Sequence, residues 1–212
     1  MVTAHTVDAR ATTHPKRPAW SDMYKHYPGE SIRPEYFYPM ISKAYYELWK
    51  KDPDSFENTC AARMSYALNR SGMKLPYNTN GGVYKGDDGL NYWIRVSELK
   101  PLLFKHFGKG DFEQASPQFE KFAQNSLDEK FKSGQKLLEK IIGKHGIIVF
   151  DVRGWRGATG HFTLWDGEHL VYTGDPAHDS TTSPEYYFWY MREGKPGLIG
   201  SQLTKTTFWE LK

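Results

Sequence analysis

A chain of 212 residues carries a single cysteine, Cys60. One thiol excludes an intramolecular disulfide and any paired-cysteine zinc or redox motif, so the chemistry left to it is that of a nucleophile. It lies in the segment Phe56-Glu-Asn-Thr-Cys60-Ala-Ala-Arg-Met64, at or beside the start of a helix, after Asn58 and Thr59, both competent N-caps. A thiol in a first helical turn meets unpaired N–H groups and the positive end of the helix dipole. The expectation is a pKa lowered toward thiolate, with Asn58 as a candidate cap or oxyanion donor. The competing reading is a small buried apolar residue, because free cysteine is among the most buried types.

A base for such a nucleophile is found in Asp151-Val-Arg-Gly154-Trp155-Arg-Gly-Ala158-Thr-Gly160-His161-Phe-Thr-Leu-Trp165. A glycine-rich loop runs into a strand whose first residue is His161. Strand alternation puts His161, Thr163 and Trp165 on one face and Phe162 and Leu164 on the other. An ordinary edge histidine is the bland alternative. A cysteine on a helix, followed about a hundred residues later by a histidine on a strand, is the chain order of papain-like enzymes. Such a pair needs a third group to orient the imidazole.

Two other classes compete with a thiol enzyme. His161, His169, Asp175 and His178 are of metal-ligating types, which raises a metallopeptidase, but no HExxH or comparable spacing is present. No metal or cofactor is therefore expected. A non-catalytic cell-wall-binding module would account for 7 Trp and 14 Tyr, most of which are core residues by default.

Elements must hold these residues in place. Met40, Ile41, Ala44, Tyr45, Leu48 and Trp49 recur at helical spacing, predicting one helix over 34–51 closed by Pro53. A second helix is predicted over 59–70 with Gly72 as its stop. Residues 73–89 read as a loop, and 92–107 as a strand start followed by helix. Leu127, Phe131, Leu137, Leu138, Ile141 and Ile142 mark a later helix. After Gly146 the period changes to that of strands: 147–152, then a hairpin of 161–165 and 168–172 across an Asp166-Gly167 two-residue turn. Helices first and antiparallel strands later make an α+β domain.

The net charge of +3 is modest and scattered, with neither a basic cluster nor an aromatic RNA-binding signature, so nucleic acid is not an expected partner. The longest clearly apolar run, Ile147 to Phe150, is far too short to span a bilayer, and no membrane is expected either. Residues 1–18 read as a flexible N-terminal tail without the apolar core of a Sec signal, and 19–212 as a single catalytic domain.

The two motifs together resemble the fourth family of type VI secretion amidase effectors. Cys60-Ala-Ala-Arg-Met-Ser-Tyr-Ala-Leu-Asn-Arg-Ser-Gly72 is similar to its nucleophile helix. Gly154-Trp-Arg-Gly-Ala-Thr-Gly-His161-Phe-Thr-Leu-Trp-Asp-Gly167 is similar to its histidine motif. Tyr92-Trp-Ile-Arg-Val96, Gly146-Ile-Ile-Val-Phe150 and Phe208-Trp-Glu-Leu211 follow suit in the same order, so the likeness runs over about 30–212. It implies a papain-like NlpC/P60-type fold, with a helical N-terminal half packed on a C-terminal antiparallel sheet. It implies a peptidoglycan amidase that cuts stem peptides between the γ-carboxyl of D-Glu and meso-diaminopimelate. Such a protein is made in the producer's cytoplasm, passed by the type VI machinery into the periplasm of rival cells, and neutralised by a cognate immunity protein. The chain departs from the family in a longer middle section, about 108–145, and at the third catalytic position. An aspartate is expected eleven residues after the histidine, where this chain has Tyr172. Asp175, three residues on, is the expected orienting group through a longer loop or bulge, with Tyr172 and Asp179 next in line.

Overall fold

The computed structural model describes residues 17–212. Of the expected tail, residues 1–16 lie outside the described residues. Arg17 and Pro18 belong to the body: Pro18 is buried, and Arg17 pairs with Asp111 and donates to the carbonyls of Phe107 (3.2 Å) and Glu210 (3.0 Å).

The N-terminal half is helical. α1 (Trp20–His26) packs on α4 (Cys60–Arg70), and α2 (Pro34–Ile41) meets α3 (Lys43–Lys51). The single helix expected over 34–51 is thus two. Ser42 is extended (φ −166°, ψ 139°), and its hydroxyl accepts from Ala44 N at 3.2 Å, so it ends one helix and caps the next. The break lets Phe37, Tyr38, Ile41 and Tyr45 converge with Ala62 and Tyr92 in one cluster. The expected loop at 73–89 holds a short strand, β1 (Val83–Lys85), paired with β2 (Asn91–Trp93), after which α5 (Val96–Phe107) runs as expected.

The C-terminal half is an antiparallel sheet. β3 (Phe112–Ala115), β7 (Ile199–Glu210), β4 (Gly146–Arg153) and β5 (Gly160–Trp165) lie side by side in that order, and β6 (Met191–Glu193) also pairs with β7. Between β3 and β4 runs α6 (Gln124–Ile141). The alternation of β4 and β5 sorts the core onto two faces. Ile147, Val149, Phe162 and Leu164 meet α4 and α5. Ile148, Phe150, Val152 and Trp165 meet Leu137 and Ile141 of α6 and the aromatic run Tyr186–Tyr190. Strand β5 is buried along its whole length against α4, which carries a residue at its start to the N-terminus of that helix. The α+β architecture, with helices ahead of an antiparallel sheet, is the one expected. Among the described residues no helix is long and apolar enough to cross a membrane.

Candidate active site

Cys60 is the first residue of α4. Thr59 occupies the cap position but caps nothing. Its hydroxyl instead accepts from Arg63 Nε (2.7 Å) and lies 2.9 Å from the Tyr172 hydroxyl. The thiol is 4% exposed. Burial raises its pKa, and this outweighs the backbone N–H groups of Phe162, Ala61 and Cys60 itself, which pull it down. The expected lowering is therefore corrected: the helix terminus acts in the expected direction, but desolvation of the charged form is larger.

His161 is the second residue of the buried strand β5. Gly160 before it is required by close approach, since a Cβ there would sit 2.2 Å from the Phe150 carbonyl oxygen of the neighbouring strand. The imidazole is packed face to face with Tyr187 (centroids 4.6 Å) and Tyr172 (5.6 Å). Nε2 lies 2.8 Å from the backbone oxygen of Tyr172, so that nitrogen carries the proton and donates, and Nδ1 is the basic one. Burial lowers the imidazole pKa to about 4, against an opposing effect of the Tyr172 carbonyl. At neutral pH both groups are uncharged, a thiol and a free imidazole base.

The return stretch after β5 differs from the expected hairpin. Trp165 pairs with Leu170, so the loop holds residues 166–169 and not Asp166-Gly167 alone. The cause is the Asp166 carboxylate, which gathers the N–H groups of Glu168 (3.0 Å) and His169 (2.7 Å) into a wider turn. Tyr172 therefore faces Thr163, whose Oγ1 accepts from Tyr172 N at 2.9 Å; its ring stacks on the imidazole, and its hydrogen bond to the imidazole comes from its carbonyl. Asp175 does not reach it. Its exposed carboxylate accepts from Ala177 N (2.9 Å) as the cap of a short helical turn, Pro176–Asp179. Asp179 is taken up by Leu170 N and His169.

Cys60, His161, Asn58 and Asp175 all line one cleft of about 550 Å³, together with Glu30, Arg63, Arg156 and Tyr187. A second groove of about 340 Å³ continues past Arg95 and Gly157. Asn58, Cys60, Trp155 and Ala158 line both. The thiol thus stands where two clefts meet, as a nucleophile must if it attacks an amide with chain on either side. Among the described residues no group of three or more His, Cys, Asp or Glu side chains could hold a metal ion.

The model of the family described as type VI secretion system (T6SS), amidase effector protein 4, matches residues 56–189, a span that holds Cys60, His161 and Tyr172. The chain belongs to that family. Solved structures agree. The amidase effector is 28% identical to a chain in the Tae4–Tai4 effector–immunity complex from Enterobacter cloacae, with a TM-score of 0.63 over 92% of this chain and 99% of that one. Against the free effector Tae4 of Enterobacter cloacae the identity is 26% and the TM-score 0.62, over 93% and 99%. The Tae4–Tai4 complex from Salmonella Typhimurium, at 22% identity and a TM-score of 0.64 over 93% and 100%, shares the fold. Among curated proteins there is no match.

Sequence reasoning missed Glu30, Thr59, Arg63 and Tyr187 as parts of the site. Arg63 alone had a signal: a basic residue on the buried stripe of a helix, one turn after Cys60.

Proposed function

We propose that the effector hydrolyses the γ-D-glutamyl–meso-diaminopimelate bond of peptidoglycan stem peptides, with Cys60 as nucleophile and His161 as general base. The observation that carries this reading is the imidazole held by Nε2, which leaves Nδ1 as the basic nitrogen, in the cleft that the thiol lines. Nδ1 takes the thiol proton as sulfur bonds to the scissile carbonyl carbon. The Cys60 backbone N–H, and Asn58 beside it, then face the oxyanion. Collapse breaks the C–N bond, and the imidazolium gives its proton to the departing amine. Water, deprotonated by the same nitrogen, cleaves the thioester and restores thiol and imidazole. Because His161 is neutral above about pH 4, the base is ready throughout the physiological range.

The Tyr172 carbonyl supplies what an aspartate would: an acceptor that fixes the imidazole's tautomer and plane. It is weaker than a carboxylate because it adds no full negative charge to stabilise the imidazolium. Asp175, at the rim of the cleft, is assigned no part in orienting the ring.

Delivery to the periplasm of a target cell, and neutralisation there by a cognate immunity protein covering the cleft, complete the reading. Their support is the family and the effector–immunity complexes that relatives form. Mass spectrometry of products from purified stem-peptide fragments tests the bond: new D-Glu γ-carboxyl and diaminopimelate amine ends are expected, and cleavage elsewhere would refute it. In a growth assay, signal-peptide-exported protein should lyse cells while the unexported form is harmless. Equal toxicity of both would point to another target.

A further inference from the structure

Tyr172's carbonyl can orient an imidazole only if the turn that carries it is held still. The next two residues are held by one side chain from far away in the chain. Glu30 Oε1 accepts from the Thr173 backbone N–H, the Thr173 hydroxyl (2.7 Å) and the Gly174 N–H (2.8 Å). Gly174 has φ +77°, a left-handed conformation suited to glycine, and it brings its N–H round to the same oxygen as that of Thr173. Glu30 is itself fixed from both sides. Arg63 donates to the carbonyls of Pro28 (2.8 Å), Gly29 (3.0 Å) and Ile32. The Arg63 guanidinium also lies 4.1 Å from the Tyr172 ring centroid. A closed circuit results: nucleophile helix, Arg63, segment 28–32, Glu30, the 172–174 turn, and back to His161.

We propose that Glu30 is a positioning residue of the amidase site, the carboxylate that acts on His161 through the main chain of 172–174 where, among the described residues, no carboxylate touches the imidazole directly. This rests on the thiol-amidase reading above. Three hydrogen bonds fix the carbonyl, and the negative charge favours the imidazolium formed during attack. The other charged or titratable groups around the ring are Arg63 and His178, both opposing its protonation, and Cys60, Tyr172 and Tyr187. Arg156, Asp175 and Arg192 line the same cleft.

The test compares wild type, Glu30→Gln, Glu30→Ala and Cys60→Ala on stem-peptide fragments, with pH profiles of kcat/KM and melting temperatures. Glu30→Gln keeps an acceptor oxygen and loses the charge. It should stay folded, lower kcat about tenfold with KM within twofold, and move the acid limb of the profile to lower pH. Glu30→Ala should lower kcat further. Wild-type kcat with an unmoved limb in Glu30→Gln overturns the proposal. So does a loss matched by a fall in melting temperature with the limb unmoved, or a raised KM at unchanged kcat. If Cys60→Ala stays active, the thiol reading itself fails. If Cys60→Ala is dead while both Glu30 variants behave as wild type, only the Glu30 assignment does.

Discussion

Two fully buried basic side chains lie in different parts of the fold, and among the described residues neither has a carboxylate partner. Arg63, 1% exposed on α4, gives its hydrogen bonds to Thr59 and three carbonyls, with its guanidinium near the rings of Phe37 and Tyr172. Lys130, 0% exposed on α6, bonds the Ser116 hydroxyl (3.0 Å) and the Leu203 carbonyl, and burial with nearby Arg153 lowers its pKa to about 7. The arginine fork suits one cation to many acceptors, and here those acceptors belong to segments that meet at the cleft lined by Cys60 and His161. The lysine can discharge instead, and its acceptor at Leu203 is shared with Gln118 Nε2 at 2.8 Å. A buried cation therefore signals function only through what its acceptors are attached to.

The contrast is sharpest in Arg63→Met, the largest effect expected. The carbonyls of Pro28, Gly29 and Ile32 would lose their donor together, costing about 1–3 kcal/mol for each one left buried and unsatisfied and taking amidase activity with it. Urea unfolding and product release measure the two losses. A stable, active Arg63→Met protein would erase the distinction between the two cations.

Next comes pH. An imidazole with a folded pKa near 4, against 6.5 for the free group, binds its proton more readily when unfolded. Its stabilising contribution is thus complete above about pH 6.5 and is lost as pH falls through 4, up to an amount on the order of 3 kcal/mol. Denaturation of wild type and His161→Gln at pH 7 and pH 4 should show the wild type losing more.

Tyr172→Phe separates side chain from main chain. It removes the bond to Thr59 and should cost about 1 kcal/mol, yet leave turnover within about threefold, because the carbonyl stays. A collapse of kcat would mean that the phenol takes part in the chemistry.

The smallest effect is expected at the other cation. Lys130→Met should not lower stability at neutral pH, because removal of the buried charge offsets the lost bonds to Ser116 and Leu203, and activity should be unaltered. It should also remove the gain in wild-type stability between pH 7 and 10, where the unfolded lysine binds a proton that the folded one does not. An inactive Lys130→Met protein would tie the far side of the sheet to the site.

Much of this was legible in the sequence because periodicity carried it. α4, α6, β4 and β5 lie where their apolar patterns place them, and the motifs around Cys60 and His161 reach the same cleft. What escaped was decided by groups that leave no pattern. The Ser42 break depends on one hydroxyl, and the 166–169 loop on one carboxylate taking two N–H groups. The third partner of the imidazole is a backbone oxygen, which every residue has, so looking for an aspartate led to Asp175. Glu30 stands 143 residues from Thr173 in the chain, and a single hydrogen-bonding carboxylate makes no motif at that distance.

Release of soluble stem peptides from purified sacculi by wild type and by Cys60→Ala, each shown to be folded by circular dichroism, bears most directly on the central claim. The wild type should release fragments with new D-Glu γ-carboxyl ends, and the Cys60→Ala protein none above background. Peptide release by a folded Cys60→Ala protein would contradict the account.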